Sequence, residues 1–308
     1  MTFLVGDVGG TNTRLALADA SGLRSDTLLR APNDDHASLL DVIARFRDEQ
    51  DCAGVDAVCI AIAGPVSQGR GRLTNRDWHI CAREVAAMVG AARGVLINDL
   101  SALCYALPQL SPEPISGTAR PDNNRQSLVV GMGTGFNVGL TKPGPAGGIT
   151  VFEAEMGHAE LPASVRDTLS ASLGTAAAGF TTVEDVFSGL GLARLHEALC
   201  GRALSGPEIM QGYVTGQDRE AAATITLFAR GLGQLSRALI CQYLPGAGMI
   251  FAGSTARGIL GSPALNAFAE AYLAPGMEVV RPADIPVSVI TDDGAALHGC
   301  LHHLMQAG

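Results

Sequence analysis

Two carboxylates stand where short apolar runs end. Asp7 lies in Gly6-Asp7-Val8-Gly9-Gly10-Thr11-Asn12, and Asp99 closes Val95-Leu96-Ile97-Asn98-Asp99. Adjacent glycines on a turn between strands let backbone N–H groups approach a phosphate closely, and Thr11 adds a hydroxyl donor. Asp7, at a strand end, can hold Mg2+ through its water shell. The same residues also suit a plain hairpin turn. A dinucleotide fingerprint is excluded, because it needs G-x-G-x-x-G ahead of a helix, whereas Gly6, Gly9 and Gly10 have other intervals and a strand follows. An apolar strand ending in Asn98-Asp99 puts both side chains at the carboxyl edge of a sheet, where open α/β sheets bind ligands. Asp99 could accept the proton of an attacking hydroxyl while Asn98 orients the molecule that carries it. The alternative is that Asp99 only caps the helix running through Tyr105.

A second turn, Gly131-Met132-Gly133-Thr134-Gly135, echoes the first. Two such turns, one opening each half of the chain, are what a nucleotide clamped between related domains would need. A third constellation is Glu155-Met156-Gly157-His158, joined by Glu184 in Val183-Glu184-Asp185-Val186-Phe187-Ser188-Gly189. Hydroxyls that both donate and accept require carboxylates and an imidazole at fixed angles, with glycines admitting a ring, so this set suits a sugar. Taken singly, His158 also reads as a surface or satisfied core histidine, and Glu184 as an early-helix carboxylate favoured by the dipole.

The elements that must position these residues follow from periodicity. Residues 3–8 and 13–18 are apolar runs joined by the first glycine turn, a strand, turn and strand. Leu39, Leu40, Ile43 and Phe46 recur at helical spacing behind an Asn33-Asp34-Asp35 start. Residues 57–62 form a nearly all-apolar strand, as in a sheet covered on both faces. A helix over 80–89 and a strand over 95–97 complete a β/α pattern. Residues 108–126, rich in Pro, Ser, Asn and Arg, break the periodicity and mark the crossing to a second domain. Strand, glycine turn and strand then recur from Ser127, a weak internal repeat. Ile225, Phe228, Leu232, Leu235 and Leu239 put one apolar stripe on a long helix. A strand over 249–252 ends in Gly253-Ser254, a helix starts at Ser262-Pro263, a last strand covers 287–290, and a terminal helix follows Gly294. The expected division is a small α/β domain over 1–109, joined by the helix 294–308, and a large α/β domain over 110–293.

Composition narrows the partners. The 308 residues suit two lobes better than one core. A net charge of −9 with 17% charged residues argues against a phosphate-backbone partner, so nucleic acid is not expected. The single lysine, Lys142, sits in Thr141-Lys142-Pro143-Gly144, which excludes a Walker-type loop. Seven cysteines are scattered without a C-x-x-C pair, fitting a reduced cytoplasm. No cationic leader precedes an apolar core and no run of ~20 apolar residues occurs, so neither export nor membrane insertion is expected.

The paired turns resemble those of the sugar kinase, heat-shock protein 70 and actin superfamily, and Gly253-Ser254 resembles its adenosine segment, where a second glycine is usual. The likeness to bacterial glucokinases, the group separate from the zinc-containing repressor and kinase family, spans residues 4 to ~300. Asp7-Val8-Gly9-Gly10-Thr11-Asn12, Leu73-Thr74-Asn75 with Trp78, Ile97-Asn98-Asp99, Gly133-Thr134-Gly135, Glu155-Met156-Gly157-His158 and Glu184-Asp185-Val186-Phe187-Ser188-Gly189 follow in that family's order. The resemblance implies an actin-like ATPase (ribonuclease H-like) α/β fold, with mixed sheets, flanking helices and an interlobe cleft. It implies ATP-dependent phosphorylation of glucose at the 6-hydroxyl with Mg2+, in a cytoplasmic homodimer at the entry to glycolysis. Asp99 would be the general base, Asn98, Glu155, His158 and Glu184 glucose ligands, and Asn75 a neighbour. Asp7, Gly9, Gly10, Thr11, Asn12, Gly133, Thr134, Gly253 and Ser254 would bind the nucleotide, with Asp7 toward the metal. Phe136-Asn137 stands where the family often has Leu-Gly, and Ala159 where an aromatic is common. No Cys/His cluster follows His158, so the sister family's structural zinc is not expected. The alternatives are a kinase for mannose, fructose or glucosamine, and a sugar-sensing protein of this fold without catalysis.

Overall fold

A computed structural model describes residues 1–74, 76–121, 123–144 and 148–306. The chain divides into two compact units. One comprises 1–111, 144–151 and 292–308, the other 112–143 and 152–291.

The first unit carries β1 (Thr2–Val8), β2 (Asn12–Asp19), β3 (Gly22–Leu23), β4 (Leu29–Pro32), α1 (Leu39–Glu49), β5 (Val55–Ile62), β6 (Val66–Ser67), β7 (Arg70–Arg72), β8 (His79–Cys81), α2 (Ala82–Met88), β9 (Arg93–Asn98) and α3 (Asp99–Ala106). Its main sheet has the order β3-β2-β1-β5-β9, with β4 also paired to β2. β1 runs antiparallel to β2 and parallel to β5, which runs parallel to β9. Both faces of β1 are buried: Leu4 and Val8 join the core with Val42, Ile43 and Phe46 of α1, whereas Phe3 and Val5 join Leu297, Cys300 and Leu301 of the C-terminal helix. That double covering explains the near-continuous apolar run of β5. The segment 144–151 belongs to this unit, which its sequence does not announce. The Gln306 side chain holds it by accepting from Ile149 N at 2.7 Å and donating to Ile149 O at 2.9 Å.

The second unit is built from β10 (Glu113–Ser116), β11 (Ser127–Met132), β12 (Phe136–Pro143), β13 (Ile149–Glu153, which begins in the first unit), α4 (Ala163–Leu173), α5 (Val183–Val186), α6 (Gly189–Cys200), α7 (Gly206–Val214), α8 (Arg219–Tyr243), β14 (Gly248–Ala252), α9 (Ser254–Leu260), α10 (Leu265–Tyr272) and β15 (Val287–Val289). α11 (Ala295–Gln306) returns to the first unit. Strand order runs β10-β15-β14-β11-β12, with β11 antiparallel to β12, parallel to β14, and β14 parallel to β15. This repeats the β2-β1-β5-β9 pattern of the first unit in order and direction, so the repeat lies in topology as well as in turn residues. The apolar stripe of α8 is fully buried at Ile225, Phe228, Leu232, Leu235 and Leu239.

Four local expectations change. Residues 108–126 are not wholly irregular, because Glu113–Ser116 pairs antiparallel with β15 as an edge strand, where Pro114 is tolerated. The first helix begins at Leu39, with the Ser38 side chain accepting from Asp41 N, while Asn33 is spent on a tertiary contact. Residues 79–81 form a strand, and α2 starts only at Ala82. A short helix follows Gly253 directly, and the next begins at Leu265 rather than Ser262, whose hydroxyl accepts from Ala264 N at 3.3 Å.

Candidate active site

In the first unit the register sets the site. Val8, Ile62 and Asn98 are level across β1, β5 and β9, so Asp7 and Asp99 end at the same carboxyl edge. The Gly9-Gly10-Thr11 turn closes by Gly9 N donating to Asn12 O at 3.0 Å, leaving Thr11 and Asn12 exposed. Asn33, fully buried, clamps it from below. Its side-chain oxygen accepts from Thr13 Oγ1 at 2.7 Å, its amide donates to Gly9 O at 2.8 Å, and its backbone N donates to Thr11 O at 2.8 Å. Arg76 reaches the same turn, donating to Asn33 O at 3.2 Å and pairing with Asp34, its guanidinium 5.3 Å from the Trp78 ring. Sequence reasoning missed both residues, because nothing in local spacing marks a long-range hydrogen bond. Asn75 lies outside the described residues.

Asn98 is the N-cap of α3. Its Oδ1 accepts from Leu100 N at 3.0 Å, and its amide donates to Gly64 O at 3.2 Å. Capping is therefore provided for by Asn98, although Asp99 also accepts from Leu100 N, at 2.9 Å. Burial, and then the negative charge of Asp7, push the Asp99 carboxyl up to about 7. Asp7 is itself raised: burial outweighs the opposing Arg14, whose guanidinium sits 3.0 Å away, and Asp293 adds to the rise. Two carboxylates at one sheet edge, Asp7 raising Asp99 and Asp293 raising Asp7, fit a site that receives a cation. Arg14, facing Asp7 in register across β1 and β2, is a positioned cation absent from the sequence expectation, and its Nε is buried without a partner.

In the second unit everything gathers around the start of β12. The Gly133-Thr134-Gly135 turn closes by Gly133 N donating to Gly135 O at 3.0 Å. Gly133 O accepts from Gly189 N at 2.7 Å and Thr255 Oγ1 at 3.1 Å, so the heads of α6 and α9 both meet it. Gly253, at φ 99, approaches so closely that a Cβ would lie 2.5 Å from Met132 O, which no other residue could match. Ser254 and Thr134 are exposed beside it.

Phe136 N donates to Glu184 Oε2 at 2.7 Å, so Glu184 does more than favour its helix dipole. At the carbonyl end of the same residue, a Cβ on Gly157 would lie 2.2 Å from Phe136 O and 3.3 Å from Glu184 Oε2. Glycine here lets the 156–158 turn lie flat on β12. Asn137, one of the departures from the family pattern, organises the rest: its Oδ1 accepts from Val138 N at 2.8 Å and Met156 N at 2.9 Å, and its amide donates to Glu155 Oε2 at 3.1 Å. Glu155 and His158 are exposed. Glu155, His158 and Glu184 are thus brought together around one backbone segment, with Glu184 anchored and the other two facing solvent.

A family profile described as Glucokinase matches residues 4–307. The chain is 30% identical to a glucokinase of Chromobacterium violaceum, with 98% of this chain and 88% of that protein covered. It is 31% identical to one of Pseudomonas aeruginosa, with 99% and 95% covered. Among solved structures, a glucokinase from an Antarctic psychrotroph aligns with a TM-score of 0.81 at 27% identity, over 99% of this chain and 98% of that one.

Proposed function

From the premise that this chain belongs to the glucokinase family, we propose that it transfers the γ-phosphoryl of ATP to the 6-hydroxyl of D-glucose, with Asp99 as general base. The fold is that of the actin-like sugar kinases. The observation that carries the base assignment is the raised Asp99 carboxyl, about 7. A general base works best when its proton affinity matches the operating pH, and a helix cap needs no such poise.

Asn98, Glu155, His158 and Glu184 are the glucose ligands in this reading, with Asn75 a neighbour on the motif resemblance alone. Glu184, held by Phe136 N, offers its second oxygen in a fixed direction, and Glu155 is similarly oriented by Asn137. Thr11, Asn12, Thr134 and Ser254 supply exposed polar groups to ATP, Gly9, Gly10 and Gly133 keep the backbone open to it, and Gly253 lets Ser254 sit close against the Gly133 turn. Mg2+, held from Asp7, supplies neutralisation of phosphate charge. Asp99 takes the proton of the 6-hydroxyl as oxygen attacks phosphorus, and ADP leaves. Arg14 orients Asp7 and offsets its charge.

We place the reaction at the entry of glucose into glycolysis and assign the enzyme to a homodimer, both on the family resemblance. A cytoplasmic location is supported by the seven free cysteines, which suit a reducing compartment. No helix among the described residues is long and apolar enough to cross a membrane. The test is a hexose panel with ATP and Mg2+, reading ADP release: glucose should give the highest kcat/KM. Preference for mannose, fructose or glucosamine would overturn the substrate assignment, and absence of turnover with every sugar would overturn the enzyme.

A further inference from the structure

α6 and α8 each present two polar residues one turn apart: His196 and Cys200 on one, Glu220 and Thr224 on the other. One nitrogen of His196, the Cys200 sulfur and a Glu220 oxygen all lie within 4.8 Å of one another, the one such group among the described residues. His196 is fully buried. Its Nδ1 is hydrogen-bonded to Thr224 Oγ1 at 2.8 Å, and its Nε2 is buried with no partner. A buried imidazole with an unanswered nitrogen is costly to retain for packing alone. Cys200 lies 3.8 Å from the same Thr224 hydroxyl, so that hydroxyl touches two of the three donors.

We propose that His196, Cys200 and Glu220 form a binding site for a borderline divalent transition ion, of which Zn2+ is the type, separate from the kinase centre. The donor set decides the class: nitrogen, sulfur and one carboxylate select Zn2+ or Co2+ over the oxygen-seeking Mg2+ and Ca2+. Residues four apart on a helix share a face, which gives His196 and Cys200 the spacing of a chelating pair. Thr224 orients the ring, as outer-sphere partners of ligating histidines do. Arg202 engages Glu220 Oε2 at 2.7 Å, leaving the other oxygen for the ion. Glu220 borders an open cavity of about 670 Å³ that Arg202, Gln211 and Asp218 also line, which brings solvent to the carboxylate side of the group. Binding forms a metal–sulfur bond as the Cys200 S–H proton passes to solvent. The site ties α6 to the first turn of α8.

The experiment is a Co2+ titration of the chelator-treated full chain, followed by near-ultraviolet absorption. One equivalent should give a sulfur-to-cobalt charge-transfer band that Zn2+ abolishes. Cys200→Ser should lose the band while keeping kinase turnover, and Cys241→Ser, an exposed control, should keep it. Glu220→Gln should weaken Co2+ affinity at least about tenfold, and decides the matter should Cys200→Ser fail to fold. No band, a band that survives Cys200→Ser, or Glu220→Gln binding as tightly as the parent would each overturn the site.

Discussion

Replacing Gly157 by alanine puts a methyl group where the start of β12 leaves no room. The new carbon would lie 2.2 Å from Phe136 O and 3.3 Å from Glu184 Oε2, the first of these roughly 1 Å inside ordinary contact. Gly157 has no positive φ, so the effect is steric and not conformational. Phe136 cannot retreat freely, because its N–H is bonded to Glu184 and the Met132↔Phe136 and Gly131↔Asn137 pairs hold it in the sheet. The 156–158 turn must lift instead, carrying Glu155 and His158 with it. Overpacking of this kind costs about 1–3 kcal/mol. Expressed wholly in glucose binding, that is a rise in KM of roughly 5- to 150-fold at 1.4 kcal/mol per decade. The assay is glucose 6-phosphate formation coupled to NADP+ reduction, with a thermal melt of the same sample. Gly179→Ala is the control, since nothing lies within 4 Å of the added carbon there. A folded Gly157→Ala enzyme whose glucose KM stays within about twofold of the parent would refute the claim that this turn positions the sugar ligands.

Three further outcomes follow from the first unit. With Asp99 raised to about 7, kcat/KM for glucose should fall about tenfold per pH unit below that value; a profile flat from pH 8 to 5.5 would remove Asp99 as the base. The same shift has a stability sign. Because the folded state holds this proton more tightly than the unfolded chain, with its ordinary value of 3.8, Asp99 lowers stability as pH rises from about 4 to 7. Asp99→Asn should therefore melt higher than the parent at pH 8, with the gap closing toward pH 4. Asn33→Ala strands the Thr13 hydroxyl and the Gly9 carbonyl beneath the first turn. Unfolding should become easier by about 2–6 kcal/mol, at roughly 1–3 kcal/mol per stranded group, with a raised KM for ATP; denaturant melts and ATP titrations check it.

Much of this was legible in the sequence, and the remainder was hidden for physical reasons. Strand, turn and strand could be read in both units because glycine pairs between apolar runs have few other uses. The α8 stripe could be read because helical period and burial coincide. β10 was obscured by Pro114, and α9 by its seven-residue length, too short to show a periodic stripe. Asn33, Arg76 and Asn137 act through tertiary hydrogen bonds, which leave no local pattern; Asn33 was instead claimed by a helix start that Ser38 provides. His196 and Cys200 stand four residues apart but were not singled out in the sequence, because Glu220 comes from another helix and only the packing of α6 against α8 shows the group.

The central claim, that Asp99 carries the proton in phosphoryl transfer to glucose, is tested most directly by comparing the parent with Asp99→Asn in two readouts on one preparation: calorimetric glucose binding, and single-turnover formation of glucose 6-phosphate from ATP. Binding should stay within a few-fold, while turnover falls by roughly two to four orders of magnitude, the range for a lost general base. An Asp99→Asn enzyme that binds glucose and phosphorylates it at more than about a tenth of the parent rate would contradict the account.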